Sequence, residues 1–251
     1  MVNNMNNFID ISVNQDNTMS IKISDSSLNS IYCEIEDLSV GDNNYEYCSL
    51  HINIHSLPQK LDLLKMILLR LEEVNIKIDF IMLCETYLTD DTESKYDTLK
   101  GYKLVAQNRK TKTRGGVALY ISKDFTSSKR LDLSPFYEGE FEKNFAQVRH
   151  KSSNKTLLVG EIYRVPNTNA QMSIDRFDQT LSNITREKYS TIIIGTDQNF
   201  DYLQLHSNKH VASLLNTFVA AGMFPTISKP TRTTNTSSTI IDNIYINGKK
   251  H

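Results

Sequence analysis

TIIIGTDQNFD, running from Thr191 to Asp201, carries four β-favouring residues into a glycine and then sets a carboxylate, Asp197, two positions before a carboxamide, Asn199. A short apolar run closed by a turn signal reads as a buried strand. Polar groups released at the carboxyl end of such a strand are how an α/β protein places a site at the edge of its sheet. Gly195 is expected to end the strand. If the backbone stays extended beyond it, Asp197 and Asn199 face the same side, so one can take a proton or touch a metal while the other orients what is bound.

Working outward, a helix over about Ala170 to Glu187 shows an apolar stripe at Ile174, Phe177, Leu181 and Ile184. Before it, Phe141 to Arg149 and Thr156 to Tyr163 read as strands, and Arg164, Val165, Pro166 and Asn167 break the second. After it, Val211, Leu214, Leu215, Phe218 and Val219 mark another helix with Gly222 placed as its stop. SKPTRTTNTSST is then polar and turn-forming, and Ile240 to Ile246 is a final strand carrying Asp242.

In the amino-terminal half, Tyr47 to Ile54 alternates Leu50, Ile52 and Ile54 against His51 and Asn53, the period of a strand. Ser56 and Gln59 have the spacing of a capping box with Pro58 in the first turn. The helix that follows presents Leu61, Leu64, Ile67 or Leu68, Leu71 and Val74, and Ile78 to Cys84 is a second buried strand ending at Glu85. Further strands at Gly101 to Gln107 and Gly116 to Ile121 flank NRKTKTRGG, whose cations Arg109, Lys110, Lys112 and Arg114 are followed by two glycines that allow close backbone approach. That loop is either a solvated hairpin or a contact for a phosphate backbone. Interleaved helices and many strands make the body, residues 45 to 251, a layered α/β domain.

Residues 1 to 44 are rich in asparagine, serine and aspartate and are expected to be a flexible or loosely ordered leader with one short strand around Met19, Ile21 and Ile23. Residues 1 to 46 hold eight acidic residues against Lys22 alone, so a chain of net charge −1 carries +6 on the remainder. A mildly cationic body suits a polyanionic partner. At 39% hydrophobic and 23% charged residues, with neither a signal peptide nor an apolar membrane span, the chain is expected to be an intracellular protein, nuclear or cytoplasmic, without membrane association. A monomer is expected. Cys33, Cys48 and Cys84 have no CxxC spacing, which argues against a disulfide framework or zinc ribbon.

The strand ends present Asn53, Glu85, Asp197 with Asn199, and Asp242. A hard cation such as Mg²⁺ takes few protein carboxylates and leaves positions for phosphate oxygens. Asn53 and Glu85 suit that work, Asp197 suits general-base work on a water, and Asn199 and Tyr163 can donate to charge developing on phosphorus. Taken singly, each has a plainer role: Asn53 as a strand-face hydrogen bonder, Glu85 as a loop charge, Asp242 as a turn partner.

HINIHSL, CETYL, RGGVALYI, IYRVPN, GTDQN, PTRTT and IIDNIYI, in this order, resemble the endonuclease/exonuclease/phosphatase superfamily, and more closely the endonuclease domain of LINE-type, non-LTR, jockey-like retrotransposon polyproteins. The resemblance covers about residues 45 to 247. It implies a two-sheet α/β sandwich flanked by helices, and hydrolysis of a DNA phosphodiester with Mg²⁺ or Mn²⁺. It further implies that Asn53 and Glu85 serve the metal, Tyr163 supports the phosphate, Asp197 activates water, Asn199 positions it, Thr231 or Thr233 contacts phosphate, and Asp242 orients a histidine.

Thr196 stands where the family has glycine, Gln198 replaces an aromatic, and His55 stands where arginine is common. The family's closing Ser-Asp-His strand is expected to be missing, and His251, nine positions after Asp242 with no Ser-Asp before it, is not assigned its role. The expectation is thus a target-site-nicking endonuclease, weak or inactive in this chain. The alternatives are a catalytically dead nucleic-acid- or partner-binding remnant and a phosphoesterase on a small phosphoester.

Overall fold

In the computed structural model, which describes residues 5–13, 19–24, 30–33, 45–111, 114–153 and 155–247, the apolar runs are strands buried on both faces. In FIMLC, Ile81 and Leu83 pack under a helix while Phe80 and Met82 face the opposite sheet. In TIII, Ile192 and Ile194 pack under helices and Ile193 faces the other sheet. Alternation therefore disappears from such strands, because both pleat faces are apolar.

The first sheet contains β1 (Met5–Val13), β2 (Met19–Ser24), β3 (Ser30–Cys33), β4 (Tyr45–Asn53), β5 (Phe80–Cys84), β6 (Tyr102–Gln107) and β7 (Val117–Ser122), in the order β3-β2-β1-β4-β5-β7-β6. Helices α1 (Leu57–Glu73) and α2 (Glu93–Tyr96) interrupt the series. The second sheet takes β8 (Phe125–Lys129), β9 (Phe141–His150), β10 (Thr156–Arg164), β11 (Thr191–Asp197), β12 (Met223–Pro225) and β15 (Asp242–Asn247), in the order β12-β15-β11-β10-β9-β8. Helices α3 (Ala170–Thr185) and α4 (Lys209–Ala220) cover it, and a small hairpin, β13 (Arg232–Thr233) with β14 (Ser238–Thr239), projects before β15. Both sheets mix parallel and antiparallel pairs. The result is the expected two-sheet α/β sandwich flanked by helices. No helix among the described residues is long and apolar enough to cross a membrane.

Among the described residues before Tyr45 there are three strands where the sequence suggested one, and the Met19, Ile21, Ile23 alternation is β2; the rest of the expected leader lies outside the described residues. β1 pairs in parallel with β4, Ile9 opposite Leu50 and Asp10 opposite His51. Any extended segment can satisfy the backbone groups of a sheet edge, so composition alone does not reveal such an addition.

Two local expectations are corrected. Ser56 makes no side-chain cap bond and sits at φ 93°, so the capping box does not form and α1 starts after a left-handed turn. β11 does not stop at Gly195 but runs on to Asp197. A Cβ at Gly195 would lie 2.4 Å from Glu161 Oε2 and 2.8 Å from His51 Cδ2, so glycine is there because the two sheets approach closely. Gly222, at φ 71°, follows α4 as expected.

Candidate active site

The strand registers bring the polar ends together. Asp197 on β11 is flanked by Tyr163 on β10 and by Asp242 on β15. Across the sandwich, Asn53 ends β4 opposite Cys84, the last residue of β5, and Glu85 follows it. Asn53 Nδ2 bridges the sheets, donating at 2.9 Å to Glu85 Oε1 and at 2.9 Å to Asp197 Oδ2. Tyr163 OH donates to Glu85 Oε1 at 3.1 Å, and Asn199 Nδ2 donates to Asp197 Oδ1 at 2.7 Å.

Asn199 reaches Asp197 although the backbone is not extended. It lies at φ 50°, and Glu85, Tyr87, His55 and Ser56 are also left-handed. Such clusters of strained non-glycine residues mark functional sites. The Glu85 loop is held from two sides: Ser56 N–H donates to the Glu85 carbonyl at 2.9 Å, and Tyr87 N–H donates to the Gly115 carbonyl at 2.8 Å. Gly116, at φ 84°, lies where a Cβ would come 2.8 Å from Thr86 Oγ1.

The carboxylates differ in charge preference. Burial pushes the Asp197 carboxyl well above the usual range and Asp242 adds to this, while His51 and Asn53 oppose it. For Glu85, burial also pushes upward, but hydrogen bonds from Asn53, His55, Tyr87 and Tyr163 outweigh it and hold the group ionised. His55 Nδ1 and Tyr87 OH lie 2.9 Å and 3.0 Å from Glu85 Oε2, two contacts absent from the sequence reading.

Below this layer lies a second set that sequence reasoning missed. His51 Nε2 is 3.1 Å from Glu161 Oε1, both fully buried, and their donor atoms lie within 4.8 Å of Cys84 Sγ. A glutamate inside the apolar run TLLVGEIY was the available signal. This sealed imidazole, thiol and carboxylate set contrasts with the oxygen-rich layer above it, where Asn53 Oδ1 is buried without a hydrogen-bond partner. Asn53 Oδ1 and Glu85 are the donors a hard divalent cation takes.

The cations of the 109–114 loop do not act as one group. The Arg109 guanidinium pairs with fully buried Glu142 and packs under Gly115, so it anchors the loop and is not free for DNA. Lys110 and Arg114 are exposed, and Lys112 lies outside the described residues. Thr231 is buried, its hydroxyl accepting the Ile241 and Asp242 N–H groups at 3.2 Å each; it fixes the start of β15, whereas Thr233 is exposed on the hairpin.

The profile of the endonuclease/exonuclease/phosphatase family matches residues 50–251. No curated protein matches significantly in sequence. Among solved structures, the endonuclease domain of TRAS1, a telomere-specific non-LTR retrotransposon, superposes with a TM-score of 0.56 at 12% identity, covering 79% of this chain and 84% of that one. TDP2 of D. rerio, solved with a single-strand DNA product, gives 0.55 at 15% identity over 80% and 83%. A mannosyl-6-phosphatase of Bacteroides thetaiotaomicron gives 0.53 at 13% identity over 79% and 84%. At these identities the likeness is one of fold.

Proposed function

The chain belongs to the endonuclease/exonuclease/phosphatase family, and from that premise we propose that it is a divalent-metal-dependent phosphodiesterase acting on the DNA backbone, a nicking endonuclease of retrotransposon type. The observation that carries this reading is the single hydrogen-bonded set made by Asn53, Glu85, Tyr163, Asp197 and Asn199 where the two sheets meet. Glu85, kept ionised, and the unpartnered carbonyl of Asn53 would hold Mg²⁺ or Mn²⁺. When bound, the ion supplies positive charge to the phosphate and to the leaving oxygen.

The chain's own groups do the rest. Asp197 accepts the proton of the attacking water, and its buried setting favours the protonated product. Asn199 fixes the orientation of the carboxylate. Tyr163, an un-ionised phenol because burial and Glu85 raise its pKa, donates to the phosphate or to Glu85. Exposed Lys110, Arg114 and Arg232 suit a polyanion. The retrotransposon endonuclease domain and the neighbour solved with a single-strand DNA product support the same choice, while the mannosyl-6-phosphatase supports a small phosphoester as the second reading.

Nicking of supercoiled plasmid with Mg²⁺ or Mn²⁺, against EDTA and against p-nitrophenyl phosphate, separates these readings. Asp197→Asn and Glu85→Gln are each expected to lower nicking by about 10²-fold or more. Activity that survives both substitutions would sink the assignment. Turnover of the monoester alone would favour the small substrate, and salt-sensitive DNA retention without nicking would favour a binding module.

A further inference from the structure

Asn199 sits at φ 50°, a conformation that costs an ordinary residue free energy and persists only where its surroundings hold it. Arg164 holds it from both ends. The Arg164 carbonyl accepts Asn199 Nδ2 at 2.8 Å, and guanidinium Nη1 donates to the Asn199 carbonyl at 3.1 Å. The guanidinium is itself fixed. Nε donates to Ser173 Oγ at 3.0 Å, Nη2 donates to the Thr168 carbonyl at 2.7 Å, and the group lies 4.2 Å over the Phe200 ring. The residue is only 5% exposed. These hydrogen-bond acceptors are neutral, so the buried cation is retained here for its planar fork, which reaches three acceptors at once. Asn199 Nδ2 passes the constraint on, donating to Asp197 Oδ1 at 2.7 Å.

We propose that Arg164 is the positioning residue of the site: it locks Asn199 in the left-handed conformation in which its amide grips Asp197, presetting that carboxylate before substrate arrives. What the carboxylate then does rests on the phosphodiesterase reading above. A merely structural arginine would instead staple the 165–169 loop to α3 through Ser173, and the two roles separate by substitution. Ser173→Ala removes the α3 contact and leaves both Asn199 contacts in place.

The test compares Arg164→Met, Arg164→Lys, Ser173→Ala, Asn199→Ala and the Arg164→Met/Asn199→Ala double variant. One readout is steady-state cleavage of bis(p-nitrophenyl) phosphate with Mn²⁺; the other is hydrogen exchange of the Asn199 side-chain amide by NMR in metal-free protein. Arg164→Met is expected to lower kcat by about 10²-fold with KM within about two-fold, as misplacement of a reacting group does. It should speed exchange of the Asn199 amide and add little on the Asn199→Ala background. Arg164→Lys should recover part of the loss, and Ser173→Ala, which leaves the Thr168 and Asn199 hydrogen bonds and the Phe200 contact of the guanidinium, should move both readouts far less than Arg164→Met. If Arg164→Met does not fold, Arg164→Lys and Ser173→Ala carry the comparison. Unchanged exchange in the Arg164 variants, or additive losses with Asn199→Ala, would overturn the proposal. Wild-type protein inert on every phosphoester, with the Asn199 amide still released by Arg164→Met, would sink the phosphodiesterase reading and leave the clamp standing.

Discussion

Asp197 and Asp79 show how one physical term, loss of water, serves two ends. Asp197 is buried and flanked by Asp242, which raises its proton affinity, while the donated hydrogen bond of Asn53 opposes the rise; this is the group proposed to take the proton of the attacking water. Asp79 lies away from the site, with Lys77, Asp124 and His150 as its charged neighbours. Its Oδ2 accepts the Cys48 N–H at 2.9 Å, and burial pushes its carboxyl up to about 6. Folded protein therefore binds more protons than unfolded protein between the ordinary value of 3.8 and about 6. The stability this group contributes is full below the lower value and is lost as pH rises through the upper one. Urea titrations at pH 4 and pH 7 should show this fall, and Asp79→Asn should flatten it and raise stability at pH 7 by roughly 2–3 kcal/mol. An unchanged pH slope in Asp79→Asn would place the dependence elsewhere. Arg109 carries the opposite lesson: a cation in a basic loop is a poor guide to a ligand when a buried partner such as Glu142 already holds it.

At the scale of elements, strand ends and their loops make the site, and small residues decide how close they come. β11 carries Gly195 in mid-strand with an ordinary backbone, so the requirement is space and not conformation. A methyl there meets Glu161 Oε2, His51 Cδ2 and, at 3.0 Å, Met82 Cβ. Gly195→Ala is expected to cost about 1–3 kcal/mol in chemical unfolding, the usual penalty of overpacking. A variant of wild-type stability would mean that the buried layer yields. α3 and α4 start on Asn169 and Asn208, whose side chains accept the Met172 and His210 N–H groups at 2.9 Å and 3.0 Å, so their boundaries are written locally. The start of α1 is not: Ser56 is bent by its contacts with the Glu85 loop.

Across the whole molecule, β1 to β3 extend the sheet that holds Asn53 and Glu85 by pairing with the edge of β4. Removing residues 1–44 would uncover that edge along the strand ending in Asn53, and exposed edges template association. A chain beginning at Tyr45 is expected to melt several degrees lower and to form larger species in size-exclusion chromatography. An unshifted melt and a monodisperse profile would show that β4 does not need the cover. The sequence by itself determined a layered α/β domain, because apolar strands such as FIMLC and TIII and striped helices are local patterns that layered elements bury, while the two-sheet sandwich was implied by the resemblance its ordered motifs carry. It also determined the end-of-strand residues Asn53, Glu85, Tyr163, Asp197 and Asn199, since each follows or closes a legible strand. Tertiary structure alone decided that Arg109 faces Glu142, that Thr231 ties a loop, that Gly195 marks close approach, that β1 covers β4, and that Arg164 grips Asn199. Each of these depends on which backbone or side chain arrives from elsewhere in the chain, and periodicity carries no record of a partner at long sequence separation.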